Sequence, residues 1–476
     1  MYKMRLLAFA VFLSVALGTW GAAELATPQA EHTPTQATAQ AQEGTPANDA
    51  AQTAVFRPEG TVITPESSVM HPEDAGVRFH TNVHIFVPEG RQVSSLSPDF
   101  TFAETPASMG CVYKVGPIYA GCNPATGGTN HPTGGWGAIA LVDAYDNPNA
   151  ASDLATFSSN YGLPAANFTK VYANTAFGTL NGMTASCSGT PPGDTGWGLE
   201  EDLDIEWAHV MAPSAKIYLV EACSSSSSDL FYAEQVAGIK VSAAGGGDIS
   251  NSWGGGEFSG EVGSIDNVFY RYYWSKITYF ASAGDSGWGA QYPSSSSWVV
   301  SVGGTTINRD ANGNFLNESC WSGSGGGVSA FEKWQSSPNI LNGMGPWSDY
   351  QYPFAGQGAR QTPDLALDAD PNSGAYVYDT YGYRGWQVVG GTSLASPALA
   401  GIVNNANNRL GQAPPGGGSP YSTLENNLLY SQLFSNKAYP TNFYDVTAGS
   451  NGTGHSAGKG YDQCTGVGSP RGKFGK

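Results

Sequence analysis

Short apolar runs alternate with helix-like amphipathic stretches over most of the chain beyond Gly110. The runs that predict strands are Ala138–Val142, Phe168–Tyr172, Lys216–Glu221, Asp248–Ser252, Ile277–Ser282 and Trp298–Val302. The stretches that predict helices are Ala150–Tyr161, Glu200–Val210, Leu230–Gly238, Asp266–Lys276 and Ser393–Asn407. Apolar strands separated by helices are typical of parallel sheets with right-handed crossovers. The pattern predicts an α/β fold with a doubly wound, mostly parallel sheet flanked by helices, and a site at the carboxyl ends of its strands.

The first hundred residues have a different pattern. Residues 1–23 have basic residues near the N-terminus, then an apolar run and then small residues typical of a cleavage site, which predicts a secretory signal peptide. Residues 24–105 are predicted to be a low-complexity leader followed by a short N-terminal segment, because Ala, Thr, Gln and Pro dominate up to about Val55. Within that segment only Arg78–Val87 alternates like a strand. Residues 106–476 keep a uniform composition and pattern, which predicts a single domain.

Composition narrows the class of protein. The chain of 476 residues holds 63 Gly, only 13% charged residues and a formal net charge of -18. Such an acidic chain would be repelled by nucleic-acid phosphates and by anionic membrane surfaces. No run after the signal approaches the ~20 apolar residues that a membrane helix needs. We therefore expect an exported, soluble monomer that binds neither nucleic acid nor membrane.

Export permits disulfides, and the chain has 6 cysteines without the C-x-x-C or Cys/His spacing of a metal site. A bond between Cys111 and Cys122 would close a short loop and is the pair we favour. The sequence leaves the remaining pairing open.

A possible nucleophile is Ser393 in the string Gly-Gly-Thr-Ser-Leu-Ala-Ser-Pro, which precedes an apolar helical run. Two glycines permit a sharp turn, and a serine at a helix start is close to free N–H groups that favour a developing anion. A plain serine N-cap is the alternative.

Carboxylates occur at two further places. Glu200 and Asp204 are four residues apart, so a helix would bring their side chains onto one face, where they could act as a coupled acid and base. A solvated acidic face at a helix start is the alternative. Asp285 directly follows the strand Ile277–Ser282 and would lie at the rim of the cleft, unless it is only a turn residue.

These motifs together resemble the subtilisin-like fold and, more narrowly, the serine-carboxyl peptidases or sedolisins. The resemblance covers roughly residues 100 to 476 and implies that residues 106–476 are a peptidase catalytic domain acting on proteins or peptides. It implies that Ser393 is the nucleophile, Glu200 the general base and acid, Asp204 its orienting partner and Asp285 the oxyanion partner. It also implies that Ser252, Trp253 and Gly254 form a cleft edge that pairs with substrate backbone.

A second resemblance lies near the C-terminus and implies one calcium ion. Its ligands would be the carboxylates of Asp445 and Asp462 and the backbone oxygens of Val446, Gly458 and Gly460. Calcium takes 6–8 hard oxygen ligands, so this set completed by water is chemically adequate. A Gly/Asp loop without metal is the alternative.

The chemistry favours action in acid, because a carboxylate base still works where a histidine is protonated, and Asp285 donates to an oxyanion only while protonated. Two features depart from the family pattern. Family members carry a long folded propeptide, whereas only residues 24–105 lie between the signal and the catalytic domain here, so either activation needs little help or the segment around Arg78–Val87 does that job in reduced form. Ser396-Pro397 is closer to ordinary subtilisins. The alternatives are an ordinary subtilase using Asp143, a histidine and Ser393, or a secreted binding protein on an inactive protease scaffold.

Overall fold

The computed structural model describes residues 55–90, 102–270, 276–333, 351, 358–406 and 421–473. The predicted signal peptide, residues 1–23, and the leader up to residue 54 lie outside these residues. Thr53–Lys476 form one compact unit, and the domain boundary at residue 106 stays a prediction. Among the described residues, every helix is too short or too polar to cross a membrane.

The strands of the described residues are β1 Gly60–Ile63, β2 His80–Thr81, β3 His84–Pro88, β4 Ala138–Ala144, β5 Asn167–Ala173, β6 Lys216–Ala222, β7 Gly247–Asn251, β8 Trp253–Gly256, β9 Ile277–Ser282, β10 Gln291–Tyr292, β11 Val300–Arg309, β12 Phe315–Cys320, β13 Gly327–Lys333, β14 Ala359–Thr362, β15 Leu365–Asp368, β16 Ala375–Asp379, β17 Gly385–Gly390, β18 Phe443–Tyr444, β19 Ser450–Gly452, β20 His455–Ser456 and β21 Ser469–Pro470. The helices are α1 Pro106–Val112, α2 Ala150–Tyr161, α3 Thr195–Met211, α4 Ser227–Ala243, α5 Asn267–Tyr270, α6 Thr392–Ala406, α7 Tyr421–Gln432 and α8 Ala438–Asn442.

A parallel sheet forms the centre of the molecule. Its order is β12-β11-β9-β7-β4-β6-β5, with β15 also paired to β11. All of these neighbours are parallel except β12, which forms an antiparallel edge on β11. The predicted doubly wound, mostly parallel fold is therefore confirmed, and the carboxyl ends of β4, β7 and β9 lie side by side.

Two hydrophobic cores cover the two faces of this sheet. On β4, the side chains of Ile139 and Leu141 belong to the core that contains α3 and α6, whereas Ala140 and Val142 belong to the core that contains α4. This follows from the two-residue repeat of a strand, which sends alternate side chains to opposite faces. Helices α3 and α6 consequently pack against each other on one face, and this contact brings their polar residues together.

The N-terminal segment is built into smaller sheets beside the central one. Strand β3 pairs with β1 on one edge and with β17 on the other, in a sheet of order β1-β3-β17-β16. Strand β2 pairs with β8, which follows directly on β7. The predicted strand Arg78–Val87 thus exists as two short strands, separated by the pair Asn82-Val83.

Three disulfides join all six cysteines. Cys111 is bonded to Cys122, as favoured from the sequence, and the other bonds are Cys187–Cys223 and Cys320–Cys464. The last bond has a sequence separation of 144 residues and ties the C-terminal loops to the end of β12.

Candidate active site

Ser393 lies in the first turn of α6, two residues after Gly391, a position at which only glycine fits. Gly391 has φ of +116°, and a Cβ there would lie 2.0 Å from the carbonyl oxygen of Asn82 and 2.5 Å from Oδ2 of Asp285. The chain can therefore turn sharply into the helix and bring the Ser393 amide to the site. Ser393 is fully buried, and its hydroxyl donates to the Ser252 carbonyl oxygen at 3.1 Å.

Pro397 explains a contact on the other side of Ser393. A helix normally satisfies the carbonyl of residue i with the amide of residue i+4, and proline has no amide hydrogen to donate. The Ser393 carbonyl oxygen instead faces the Ser252 hydroxyl at 3.4 Å. The Ser-Pro pair thus links the start of α6 to the end of β7.

Glu200 and Asp204 lie on the face of α3 that packs against α6, and both are fully buried. The helix begins at Thr195, before the predicted start at Glu200, because the Asp194 side chain caps it. This side chain accepts from the amides of Gly196 at 2.9 Å and Trp197 at 3.0 Å. The Ser252 hydroxyl donates to Oδ1 of Asp204 at 2.6 Å. Among the described residues, neither carboxylate oxygen of Glu200 receives a hydrogen bond of normal geometry.

The electrostatics of these carboxyls are coupled. Burial, followed by the nearby Asp143 carboxyl, raises the pKa of Glu200, and the Ser393 hydroxyl acts in the opposite direction. Burial, Asp143 and Glu200 raise the pKa of Asp204, and the Ser252 hydroxyl lowers it. Burial alone raises the pKa of Asp143 to about 8. Three carboxyls thus share one dry space, so their protons are taken up and released as a group.

Asp285 lies beyond the carboxyl end of β9 and faces the start of α6. Its Oδ1 accepts from the Thr392 amide at 2.8 Å and from the Thr392 hydroxyl at 2.7 Å. Its Oδ2 lies 3.3 Å from Nε2 of His84. Asp285 and the Ser393 amide therefore converge from two sides on the space beside Gly391, where an anionic oxygen could be stabilised.

The sequence Ser252-Trp253-Gly254 runs along one edge of this space. The Trp253 indole is buried and donates to the Val142 carbonyl at 2.8 Å, which fixes the edge to β4. Strand β8 presents its backbone to β2, with His80 opposite Gly254 and Thr81 opposite Trp253. The edge is thus able to pair with an extended peptide, and here it pairs with the chain's own N-terminal segment.

Comparison with known proteins identifies the family. The model described as "Subtilase family" matches residues 178–415, half of the chain, a stretch that includes Glu200, Asp285 and Ser393. Kumamolisin of Bacillus sp. (strain MN-32) is 30% identical over 360 residues, which is 70% of this chain. Within the subtilase family, this chain belongs to the sedolisins.

Two further likenesses agree with the sedolisin assignment. Sedolisin of Pseudomonas sp. (strain 101) is 26% identical over 371 residues, or 71% of this chain. The chain spans 58% of the length of kumamolisin and 57% of that of sedolisin. The solved structure of Pseudomonas sedolisin, a serine-carboxyl proteinase complexed with two molecules of pseudo-iodotyrostatin, matches with a TM-score of 0.58 at 24% identity, covering 78% of this chain and 96% of that one. This match supports the fold.

The residues of the predicted sedolisin-like calcium site are brought together by the C-terminal loops. Oδ1 of Asp445 accepts from the Tyr439 hydroxyl and the Gly460 amide, each at 2.9 Å. Oδ2 of Asp462 accepts from the Gly458 amide at 2.9 Å, and burial raises the pKa of this carboxyl. Val446, which follows Asp445, is buried. The two carboxylates are hard oxygen ligands of the kind that calcium takes, and the contacts of Gly458 and Gly460 with them are made by backbone amides.

A second acidic cluster was not found from the sequence. Within the described residues, one carboxylate oxygen from each of Asp153, Asp202 and Asp379 lies within 4.8 Å of the others, and all three side chains are buried. Asp153 accepts from the amide and hydroxyl of Thr380, and Asp202 accepts from the Asn147 side chain. The cluster joins α2, α3 and the end of β16, so no local spacing in the sequence could reveal it.

The sequence reasoning also missed Asn82, His84 and Thr392 as neighbours of the site. Thr392 was within the nucleophile motif but was given no role. The alternation of Arg78–Val87 predicted a strand, but a strand pattern does not name its partner. Only the three-dimensional pairing shows that this segment, which forms β2 and β3, crosses the cleft.

Proposed function

We propose that this chain is a secreted serine-carboxyl endopeptidase that hydrolyses protein or peptide substrates in acid. The observation that carries the proposal is the packing of α3 against α6, which sets the buried carboxyls of Glu200 and Asp204 beside Ser393. The family assignment supports the same reaction class. Ser393, Glu200, Asp204 and Asp285 have the proposed catalytic roles.

In the proposed reaction, the Ser393 hydroxyl turns from the Ser252 carbonyl toward Glu200 and gives up its proton as its oxygen attacks the substrate carbonyl. Burial favours the protonated forms of Asp143 and Asp204 in acid, so in this proposal the cluster carries one negative charge, on Glu200, whose pKa the Ser393 hydroxyl lowers. Asp204 orients that carboxylate while its own Oδ1 accepts from the Ser252 hydroxyl. The developing oxyanion accepts from the Ser393 amide and from protonated Asp285. Glu200 then returns the proton to the departing amine, and water repeats the sequence to release the acyl group from Ser393.

Histidine is a poor alternative for the base. Among the described histidines, none donates to or accepts from Ser393; His209 contacts the Pro164 carbonyl at 2.9 Å, and His84 faces Asp285. Asp143 lies within the carboxyl cluster rather than beside a histidine. These contacts support a carboxylate base over the Asp-His-Ser arrangement of an ordinary subtilase. The intact set of Glu200, Asp204, Asp285 and Ser393 disfavours an inactive binding protein.

Calcium and secretion are the remaining parts of the proposal. Asp445 and Asp462, with backbone oxygens of Val446, Gly458 and Gly460, would hold one calcium ion, whose charge would draw the C-terminal loops together. Three disulfides support export, because such bonds persist in oxidising compartments.

The test is hydrolysis of an acid-denatured protein substrate between pH 2 and pH 9 by the wild-type chain and by Ser393→Ala. Internal cuts with a maximum on the acid side, absent from Ser393→Ala, support the proposal. A maximum at pH 8 or above would favour the ordinary subtilase. Absence of cuts at every pH, by a folded wild-type chain freed of its N-terminal segment, would favour the inactive scaffold.

A further inference from the structure

The chain's own segment 80–88 lies across Ser393 as an extended peptide. On one side of the site, β2 is antiparallel to β8, and the Asn82 amide continues this pairing by donating to the Ser252 carbonyl at 3.3 Å. On the other side, β3 is antiparallel to β17, with His84 opposite Gly390. The chain is therefore held by backbone pairing on both sides of one peptide bond, that between Asn82 and Val83.

The carbonyl of Asn82 occupies the place where a reacting carbonyl belongs. Its oxygen accepts from the Ser393 amide at 3.2 Å, and it shares with Oδ2 of Asp285 the space that a Cβ on Gly391 would fill. The Asn82 amide also donates to the Ser393 hydroxyl oxygen at 3.2 Å. The nucleophile and the two groups proposed to hold an oxyanion thus surround the carbonyl of a single residue.

The side chain of Asn82 is also accommodated. It is 1% exposed, and its Nδ2 donates to the Ser282 hydroxyl at 2.7 Å. A Cβ on Gly254 would lie 2.7 Å from Oε1 of Gln291 and in ordinary contact, at 3.5 Å, with this nitrogen, so glycine leaves room for the Gln291 side chain beside Asn82. The pocket is small and polar, and a large side chain at position 82 would not fit it.

We propose that the Asn82–Val83 peptide bond is the bond at which this enzyme cleaves its own chain; the proposal rests on the peptidase function above. The Ser393 oxygen would bond to the Asn82 carbonyl carbon while its proton passes to Glu200. The C–N bond to Val83 would then break, and Glu200 would return the proton to the Val83 nitrogen. Water would hydrolyse the acyl-enzyme, so the net change is one water added, a carboxyl at Asn82 and an amine at Val83.

The two products are held differently. Val83, Ile85 and Phe86 are fully buried, and β3 is paired with β17 of the same product, so the new N-terminus stays part of the domain. The piece ending at Asn82 keeps its pairing to β8 and the packing of Phe79 against Trp253, with ring centroids 5.0 Å apart. It would therefore remain in the substrate cleft as a product inhibitor until it dissociates.

The test uses the full chain, purified at neutral pH and then acidified, with products identified by intact mass and N-terminal sequencing. Wild type should acquire an N-terminus at Val83, and Ser393→Ala should keep this bond intact. Asn82→Trp should lose the cut at this bond. Val77→Trp is the matched control, because Val77 is 62% exposed in the same segment, and it should be cut as wild type is.

A synthetic peptide of residues 78–88 makes the result independent of how Asn82→Trp folds. The processed wild-type enzyme should cut it between Asn and Val, giving fragments of five and six residues. A wild-type chain that digests other proteins but leaves its own Asn82–Val83 bond intact overturns this inference and spares the peptidase assignment. Loss of both reactions in a folded chain overturns both proposals.

Discussion

The amide of Ser393 donates a hydrogen bond to the carbonyl oxygen of Asn82 at 3.2 Å. This bond joins the start of α6 to the N-terminal segment, so the donor proposed for an oxyanion is already occupied by the chain itself. An external substrate can use that amide only after the segment has left. Activity on added substrate should consequently appear after a lag.

The carboxylate base is the first prediction to test. Glu200→Gln should lower kcat/KM by on the order of a thousandfold or more, because an amide cannot accept the Ser393 proton. Ser393→Ala should have a similar effect, and both variants should keep the wild-type melting temperature within a few degrees. Kinetics on a chromogenic peptide and thermal unfolding measure the two quantities.

Glu201→Gln is the matched control for Glu200→Gln. Both substitutions replace a fully buried glutamate of α3 by glutamine. The Glu201 carboxylate, however, accepts from the Asn147 amide at 3.1 Å and does not face Ser393. The activity of Glu201→Gln should stay within a few-fold of wild type. If Glu200→Gln has nearly wild-type activity, another group must be the base.

The second prediction concerns the alkaline limb of the pH profile. An aspartic acid donates to an oxyanion only in its protonated form, whereas an asparagine donates at every pH. Asp285→Asn should therefore move the loss of activity to higher pH, even if its maximum rate is lower. An alkaline limb that does not move in this variant would mean that ionisation of another group sets it.

The third prediction is that the fold is more stable in acid than near neutrality. Burial raises the pKa of Glu234 and Asp143 to about 8 and that of Asp248 to about 7. Because these pKa values are higher in the folded state, their stabilising contribution is complete below about pH 4 and is lost as the pH rises to about 8. Within that window, each group lowers the free energy of unfolding by about 1.4 kcal/mol for each pH unit of increase. The melting temperature of inactive Ser393→Ala should fall from pH 4 to pH 8.

Glu234→Gln, placed in the Ser393→Ala chain, isolates one of these groups. Glu234 is fully buried on α4 and lies outside the active-site cluster. The glutamine variant should melt at a higher temperature than its parent at pH 8, and the difference should shrink at pH 4. If the melting temperature of the parent instead rises between pH 4 and pH 8, the buried carboxyls do not dominate the pH dependence of stability.

The fourth prediction concerns calcium. An ion that binds only the folded state stabilises it by RT ln(1 + [L]/Kd), about 2.7 kcal/mol at a hundredfold excess over Kd. A chelator at neutral pH should therefore lower the melting temperature of Ser393→Ala, and added calcium should restore it. Asp445→Asn with Asp462→Asn should melt at the lower temperature with or without chelator. Identical curves for Ser393→Ala in calcium and in chelator, with no calcium by elemental analysis, would exclude the site.

The sequence predicted those parts of the molecule that depend on local periodicity. The helix Ala150–Tyr161 and the strand Ile277–Ser282 have the predicted bounds, and the four-residue spacing of Glu200 and Asp204 does place them on one buried face. These features follow from the repeat of one helix or one strand.

Features that depend on distant pairing were not predictable in this way. Strands β16 and β17 and the two-residue C-terminal strands are too short or too irregular to show a clear repeat. The position of Asn82 beside Ser393 joins residues that are 311 apart in the chain. Strand β11 was expected to end at Val302 but continues to Arg309, because its far half pairs with β12.

The Cys320–Cys464 bond has a consequence for the C-terminal loops. Cys464 is two residues from Asp462, and its amide donates to the Asp462 carboxylate at 2.9 Å. The bond tethers this carboxylate to the end of β12, so a loop that loosens cannot move far from Asp445. The two carboxylates are therefore held near each other, and the calcium ion proposed above, if it were lost in acid, would be recaptured without the chain end having to find its place again.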